Sequence, residues 1–427
     1  MQANSAWKRQ TALFLTSQTL SLFGSSLVQY ALMWHVTLAT KSGWAMTVFV
    51  LCGFLPMFLV SPFAGVWADR TDRKKLIILS DGMIALVTLA LAAVFAAGAD
   101  ALWLVMLTAA VRAVGQAFQG PAVGALLPQF VPADRLAKVN GLSSALQSAN
   151  MFVAPVAAGA LMSFWPLERI FLLDVGTAAL AIGLLSFFLK VPPHAKAAQA
   201  QTVSYWRDLK LGFRYIRDHR FLVPYFVSVA FFLVMVAPAA FLTPLQVART
   251  FGDEVWRLTA IEMAFSVGMM AGGLVLGVWG GLRNRMATMA GAVGVMAACT
   301  LLLGVAPNFW LYLVPMGVFG LALPFYNTGA AVLLQEQVEP DFLGRVFSVF
   351  SMLSTSMMPL GMLLFGPLAE AVRVEVLLLA SGAAMFGGLV LILANKRLMA
   401  AGLPPAAVPP AGLAPAADAA PPSDPRA

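Results

Sequence analysis

Four ionisable side chains, Asp81, Arg112, Asp174 and Glu262, sit inside long apolar stretches of this 427-residue chain. A charge at the centre of a membrane helix costs roughly 2.5–3.5 kcal/mol on insertion scales, so each of the four should face a wet cavity or a partner. Two kinds of chemistry suit them. An intramembrane carboxylate can take up and release a proton, which makes Glu262, Asp174 and Asp81 candidates for proton coupling. Asp81 and Asp174 also read as capping or interfacial groups. Arg112, about halfway along its stretch, either takes part in transport or is a structural cation held by hydrogen bonds. Catalysis has nothing to build on. There is no nucleophile–base constellation, phosphate loop or metal set. His35, His194 and His219 are scattered, and Cys52 and Cys299 both lie in apolar stretches. The chain is expected not to be an enzyme and to need no cofactor or metal.

The elements that position these residues are membrane helices. Hydrophobic residues make up 60% of the chain and charged ones 11%, against roughly 25% charged in a soluble domain. Twelve spans can be read, at 11–39, 44–67, 76–98, 101–127, 139–164, 167–190, 220–246, 258–281, 286–305, 309–334, 345–368 and 375–394. The first follows Lys8 and Arg9 without a small-residue cleavage site and reads as an uncleaved helix. Of the 27 Lys and Arg, only Lys41, Arg169, Arg249, Arg257 and Arg373 fall on the side opposite the termini, and Arg112 lies in mid-span. That bias places both termini in the cytoplasm and makes the net charge of +8 a matter of topology and anionic lipid, with no nucleic-acid partner implied.

The chain divides into a six-helix bundle over 1–190, a linker over 191–219, a second bundle over 220–395 and a tail over 396–427. Within the linker, Trp206, Leu209, Phe213 and Ile216 recur at helical spacing, with Arg207, Lys210, Arg214 and Arg217 on another face. This amphipathic helix should lie on the inner membrane surface, as a tether or as a regulatory element. The tail is almost wholly Ala and Pro and is expected to be disordered. Gly65-Val66-Trp67 with Arg73 recurs as Gly277-Val278-Trp279 with Arg285. Val131, Asp134, Leu136, Lys138 and Val139 recur as Val338, Asp341, Leu343, Arg345 and Val346. Two repeated six-helix halves suit a transporter with a midplane site and rocking halves.

Between the second and third spans, Gly65, Asp69, Arg70, Arg73, Lys74 and Lys75 form a dense cationic loop. Gly lets helices approach, Asp can face a helix N-terminus, and the basic cluster holds the loop inside. The pattern resembles the signature loop of the major facilitator superfamily of transporters, although Asp72 stands where Gly is usual. Ser26 to Trp34, Phe118-Gln119-Gly120-Pro121-Ala122, Val131 to Leu136, and Leu146-Gln147-Ser148 with Pro155 are similar to the macrolide-efflux-like branch. Gly141, Pro155 and Gly159 keep part of the glycine pattern of the antiporters' fifth helix, for close packing.

The resemblance implies an all-α membrane protein with twelve transmembrane helices in two pseudo-symmetric six-helix bundles. It implies a multi-pass monomer of the cytoplasmic membrane that exports drug-like or macrolide-like amphiphiles by proton antiport, in contact with lipid. The first, fourth, seventh and tenth helices would line the site, supplying Gln29, Met33, Arg112, Gln116, Phe231, Phe232, Met235, Phe325, Tyr326 and Asn327. The third and sixth, carrying Asp81 and Asp174, would be outer scaffold. The absence of Asp or Glu from the first span departs from many drug/proton antiporters. A siderophore exporter, a lysolipid transporter or an importer on the same fold stays open, as does a membrane receptor or sensor without flux.

Overall fold

A computed structural model describes residues 2–189 and 205–403; the side chains of residues 2–6, Val66, Asp69, Arg70 and 205–209 lie outside that description. Its first six helices are α1 (Gln2–Thr40), α2 (Gly43–Arg70), α3 (Arg73–Ala96), α4 (Leu102–Leu126), α5 (Leu136–Phe164) and α6 (Leu167–Gly183). The short α7 (Tyr205–Asp218) precedes α8 (Leu222–Ala237), α9 (Thr243–Thr250), α10 (Val255–Trp279), α11 (Arg285–Val305), α12 (Phe309–Gln337), α13 (Pro340–Ala371), α14 (Val374–Ala394) and α15 (Lys396–Ala401). No strand occurs among the described residues.

Local chemistry sets the helix ends. Asp72 accepts from the backbone N–H groups of Lys74 and Lys75 and so caps α3, while Asn284 and Asn308 cap α11 and α12. Side-chain oxygens at these positions satisfy donors that have no partner inside the helix. The span expected at 220–246 is α8 and α9 joined by a π-helical turn at Pro238–Leu242. Pro238 has no N–H for the ladder, and the wider turn absorbs the missing bond.

Eleven segments of the described chain are long and apolar enough to cross a membrane. The one expected span missing from that set is α1, whose apolar character is diluted by Thr16, Gln18, Ser25, Ser26 and Gln29. It nevertheless packs against α5 and α6 within the first bundle.

The two halves repeat their packing. In the first, α2 packs on α4, α3 on α6 and α1 on α5; in the second, α10 packs on α12, α11 on α14 and α8 on α13. The halves meet through α2 with α13 and α5 with α10, again a symmetric pair. Arg73 donates to the Ala125 carbonyl at 2.7 Å, and its repeat counterpart Arg285 pairs with Glu336 at 3.4 Å, each near the end of the helix that follows its own. We call the face carrying these turns the basic face and its opposite the far face.

Two expectations change at the basic face. The linker helix α7 is docked on the second half: the Tyr215 ring stacks on Phe342 with centroids 4.4 Å apart, and the Tyr215 hydroxyl accepts from the Glu339 N–H at 3.3 Å. The tail expected to be unstructured from residue 396 begins with α15, whose Leu398 is buried. Asn284 donates to the Met399 carbonyl at 2.8 Å and the Arg285 N–H to the Gly402 carbonyl at 2.7 Å. Capping the α10–α11 turn gives this short stretch the partners that its Ala/Pro continuation lacks. Residues 404–427 lie outside the described chain.

Candidate functional site

The far face is closed by direct contact between the halves. A Cβ on Gly366 would overlap the Thr47 hydroxyl, and one on Gly159 would overlap Thr259, so α13 meets α2 and α10 meets α5 where one partner has no side chain. Beyond these crossings lies a polar clamp. Arg249 donates to the Lys41 carbonyl from Nε at 2.9 Å and Nη2 at 2.6 Å, and to the Ala369 carbonyl at 2.7 Å. Lys41 Nζ donates to Asp253 at 2.8 Å, and Glu370 accepts from the Ser42 hydroxyl and the Trp44 N–H. Lys41 has φ of 46°, a left-handed conformation that is uncommon outside glycine.

Toward the basic face the same helices diverge. Gly65 on α2 and Gly141 on α5, expected at close approaches, have nothing within 4 Å of the point where a Cβ would sit. Between the halves lies a cavity of about 1570 Å³. Its lining runs from Phe14, Leu15, Leu127, Asn140 and Phe350, toward the basic-face ends of their helices, to Glu262, Leu303 and Met316, nearer the far face. Ten residues were expected on its wall from the resemblance. Gln29, Met33, Arg112, Gln116, Phe232, Tyr326 and Asn327 are on it; Phe231, Met235 and Phe325 are not. Phe231 is turned toward Gly388 of α14, Met235 packs into the second-half core, and Phe325 lies against Trp279 with centroids 5.9 Å apart. A helix turns only part of its circumference to the cavity: Phe232 and Leu233 of α8 and Tyr326 and Asn327 of α12 lie on that part, while Phe231, Met235 and Phe325 fall outside it.

Arg112 is 1% exposed and ion-paired. Its Nη1 donates to Asp174 Oδ2 at 2.7 Å and to the Thr88 hydroxyl, and its Nη2 donates to the Ser25 carbonyl at 3.0 Å. Asp174, also 1% exposed, thus comes from the outer helix α6 to the centre of the bundle. It gets there because α1 has glycine at position 24: a Cβ there would lie 2.7 Å from Asp174 Oδ1. The capping or interfacial role considered for Asp174 gives way to an ion pair. Asp81 is equally buried, but among the described residues no cation pairs with it; Ser21 at 2.9 Å and Gln119 at 2.6 Å both donate to Oδ1, leaving Oδ2 without a partner. Glu262 is half-buried on the cavity wall and has no hydrogen-bond or ion-pair partner among the described residues.

Of the cationic loop, Lys74 donates to the Ser186 and Leu189 carbonyls in the turn that follows α6, at 3.2 and 2.8 Å. Lys75 lies in the first turn of α3, and the side chains of Asp69 and Arg70, with any docking of Asp69 on another helix, fall outside the description. Pro155 is buried inside α5. Sequence reasoning overlooked the polar wall of α5, where Asn140, Ser143, Ser144 and Gln147 line the cavity. The signal was present: these residues follow the i, i+3, i+4, i+7 spacing of one helical face. Tyr312 and Gln246 form a further buried pair, the Tyr312 hydroxyl donating to Gln246 Oε1 at 2.8 Å, inside the second bundle.

Two repeated helical bundles around a cavity sealed at one face define a membrane transporter. The chain belongs to the Major Facilitator Superfamily, whose family model matches residues 11–362. It is similar to Macrolide efflux protein A of Streptococcus pyogenes, with 30% identity over 384 residues that cover 90% of this chain and 95% of that one. It is also similar to the multidrug efflux pump Tap of Mycolicibacterium fortuitum, with 25% identity over 84% of this chain and 88% of the other. Among solved structures, a bacterial homologue of the iron transporter ferroportin in its inward-facing state superposes with a TM-score of 0.66. That match has 15% identity and covers 90% of this chain and 98% of the other.

Proposed function

We propose that this protein exports amphiphilic small molecules across the cytoplasmic membrane by alternating access, driven by protons, with its basic face in the cytoplasm. The observation that carries the reading is the large cavity, apolar and aromatic with scattered amides, open to the basic face and sealed at the far face. Apolar walls with a few placed polar groups suit amphiphiles, and Met33, Met57 and Met358 add adaptable surface. The excess of Lys and Arg on that face supports a cytoplasmic orientation. The relatives' names make macrolides the first compounds to test. An anionic siderophore fits less well, since Arg112 is the wall's one cation among the described residues and is already paired with Asp174.

Expression in cells stripped of their own pumps should lower the accumulation of a macrolide or a lipophilic dye, and an uncoupler should restore it. Higher accumulation on expression would make the protein an importer. Saturable binding without flux in vesicles would make it a receptor.

For the proton, the three candidate carboxylates are not equivalent. Protonating Asp174 strands Arg112, so Asp174 is better suited to holding the bundle together. Asp81 and Glu262 can change charge without breaking an ion pair. Asp81 is reached from the cavity through Gln119, which lines the wall and donates to it. We therefore assign coupling to Asp81. Asp81→Asn should lose export against a concentration gradient while downhill movement continues. Uphill, uncoupler-sensitive export by Asp81→Asn at the normal rate would move the role to Glu262. The basic loop at Gly65, Asp69, Arg70, Arg73, Lys74 and Lys75 then serves as the inner gate, with Gly65 and Gly141 finding close neighbours when that side shuts.

A further inference from the structure

The charged groups of the cavity wall set the charge of what can bind there. Among the described residues only two line it, Arg112 and Glu262. Arg112 is 1% exposed and its charge is met by Asp174, so that pair presents no net charge to a ligand. Glu262 is left as the single carboxylate on the wall without a partner. It lies seven residues into α10, about 10 Å from the far-face end of that helix at 1.5 Å per residue, and so deep in the cavity. Phe265, one turn further along α10, faces the cavity with it, and α1 of the other half presents Tyr30 and Met33 to the same space.

We propose that Glu262 is the receptor for a cationic centre, and that the cavity selects amphiphiles carrying one positive charge over neutral or anionic ones of the same size. A cation entering there gains a carboxylate deep in a cavity walled mostly by apolar side chains, where the attraction is less screened than in bulk water. Aromatic faces such as those of Tyr30 and Phe265 add to it. An anion of equal size meets the carboxylate and no free cation. One charge matches one carboxylate, and a dication would have to bury its second charge unpaired. Because Glu262 belongs to the second half and Tyr30 to the first, a ligand held between them touches both moving bodies.

This inference rests on the cavity being the substrate site, and the test separates the two. Radiolabelled tetraphenylphosphonium and its size-matched anion tetraphenylborate are titrated against the purified full-length protein in nanodiscs. The phosphonium should bind saturably and resist displacement by the borate. Glu262→Gln should bind the phosphonium about ten-fold more weakly, equivalent to ~1.4 kcal/mol, and admit the borate. Glu262→Asp, which keeps the charge, should stay within a few-fold of the original and guards against a variant that merely misfolds. Equal binding of both ions by the unaltered protein, or an unchanged phosphonium affinity in folded Glu262→Gln, overturns the proposal. Vesicle flux is read separately. Glu262-dependent binding with no flux upholds the charge assignment and removes the export reading. Equal export of the phosphonium by both forms keeps the export reading and overturns the charge assignment.

Discussion

Replacing Arg112 by Met should cost about 3–5 kcal/mol of stability, because it leaves the Asp174 carboxylate buried without its cation. Asp174→Leu should cost a similar amount for the converse reason. The double variant Arg112→Met/Asp174→Leu should recover most of the loss, since an apolar pair of similar volume is often neutral or better than a buried ion pair. Insertion cost alone makes the removal of Arg112 favourable; its 2.7 Å ion pair with Asp174 makes the removal costly in the folded bundle. Unfolding of all four proteins in detergent completes a double-mutant cycle, and near-native stability of either single variant refutes the account. The stable double variant also decides what Arg112 is for. Normal export by it makes Arg112 a structural cation, and loss of export with stability restored makes Arg112 part of the transport cycle.

A second large effect is expected at the far face. Arg249→Ala removes three hydrogen bonds to the Lys41 and Ala369 carbonyls and a 3.7 Å ion pair with Glu370. The side chain is 30% exposed, so solvent screening reduces what these bonds are worth. About 1–2 kcal/mol remains, enough to change the ratio of closed to open forms by about 5- to 30-fold. Spin labels at Ala99 and Pro307, on far-face turns of opposite halves, should report a longer distance population in Arg249→Ala; an unchanged distribution would show that the glycine crossings alone hold this side shut. The Lys41–Asp253 bond responds to acid. Hydrogen bonding from Lys41 holds the Asp253 carboxyl below its ordinary range. Its contribution is therefore present above the ordinary carboxylate range and is lost only as pH falls through the lowered value.

The bundles, their repeat and the costly residues inside them were readable because each leaves a local mark. Apolar runs, basic turns and a lone Arg112 in a span need no knowledge of tertiary structure. What pairs with Arg112 was not readable. Asp174 is 62 residues away on a helix expected at the periphery, and only the missing side chain of Gly24 lets α1 sit close enough for it to reach the centre. The far-face clamp was hidden for the same reason, since Lys41 and Arg249 are 208 residues apart and look like ordinary loop cations. On the cavity wall, choosing residues by helix rather than by face brought in Phe231, Met235 and Phe325. The regular spacing of Asn140, Ser143, Ser144 and Gln147 on α5 was the better guide.

The polar composition of α1 matters to how the protein is made. Its Thr, Ser and Gln suit a helix that lines a cavity in the finished molecule, but they weaken its partition into lipid while it stands alone. The helices that cover it, α5 and α6, come about a hundred residues later in synthesis, as the order of the elements shows. Until then α2 and α3, joined by the basic turn with Arg73, Lys74 and Lys75, are the more apolar pair and the better anchored. The more apolar hairpin is thus distinct from the helix that precedes it, and the helices on which α1 packs are made only after that hairpin.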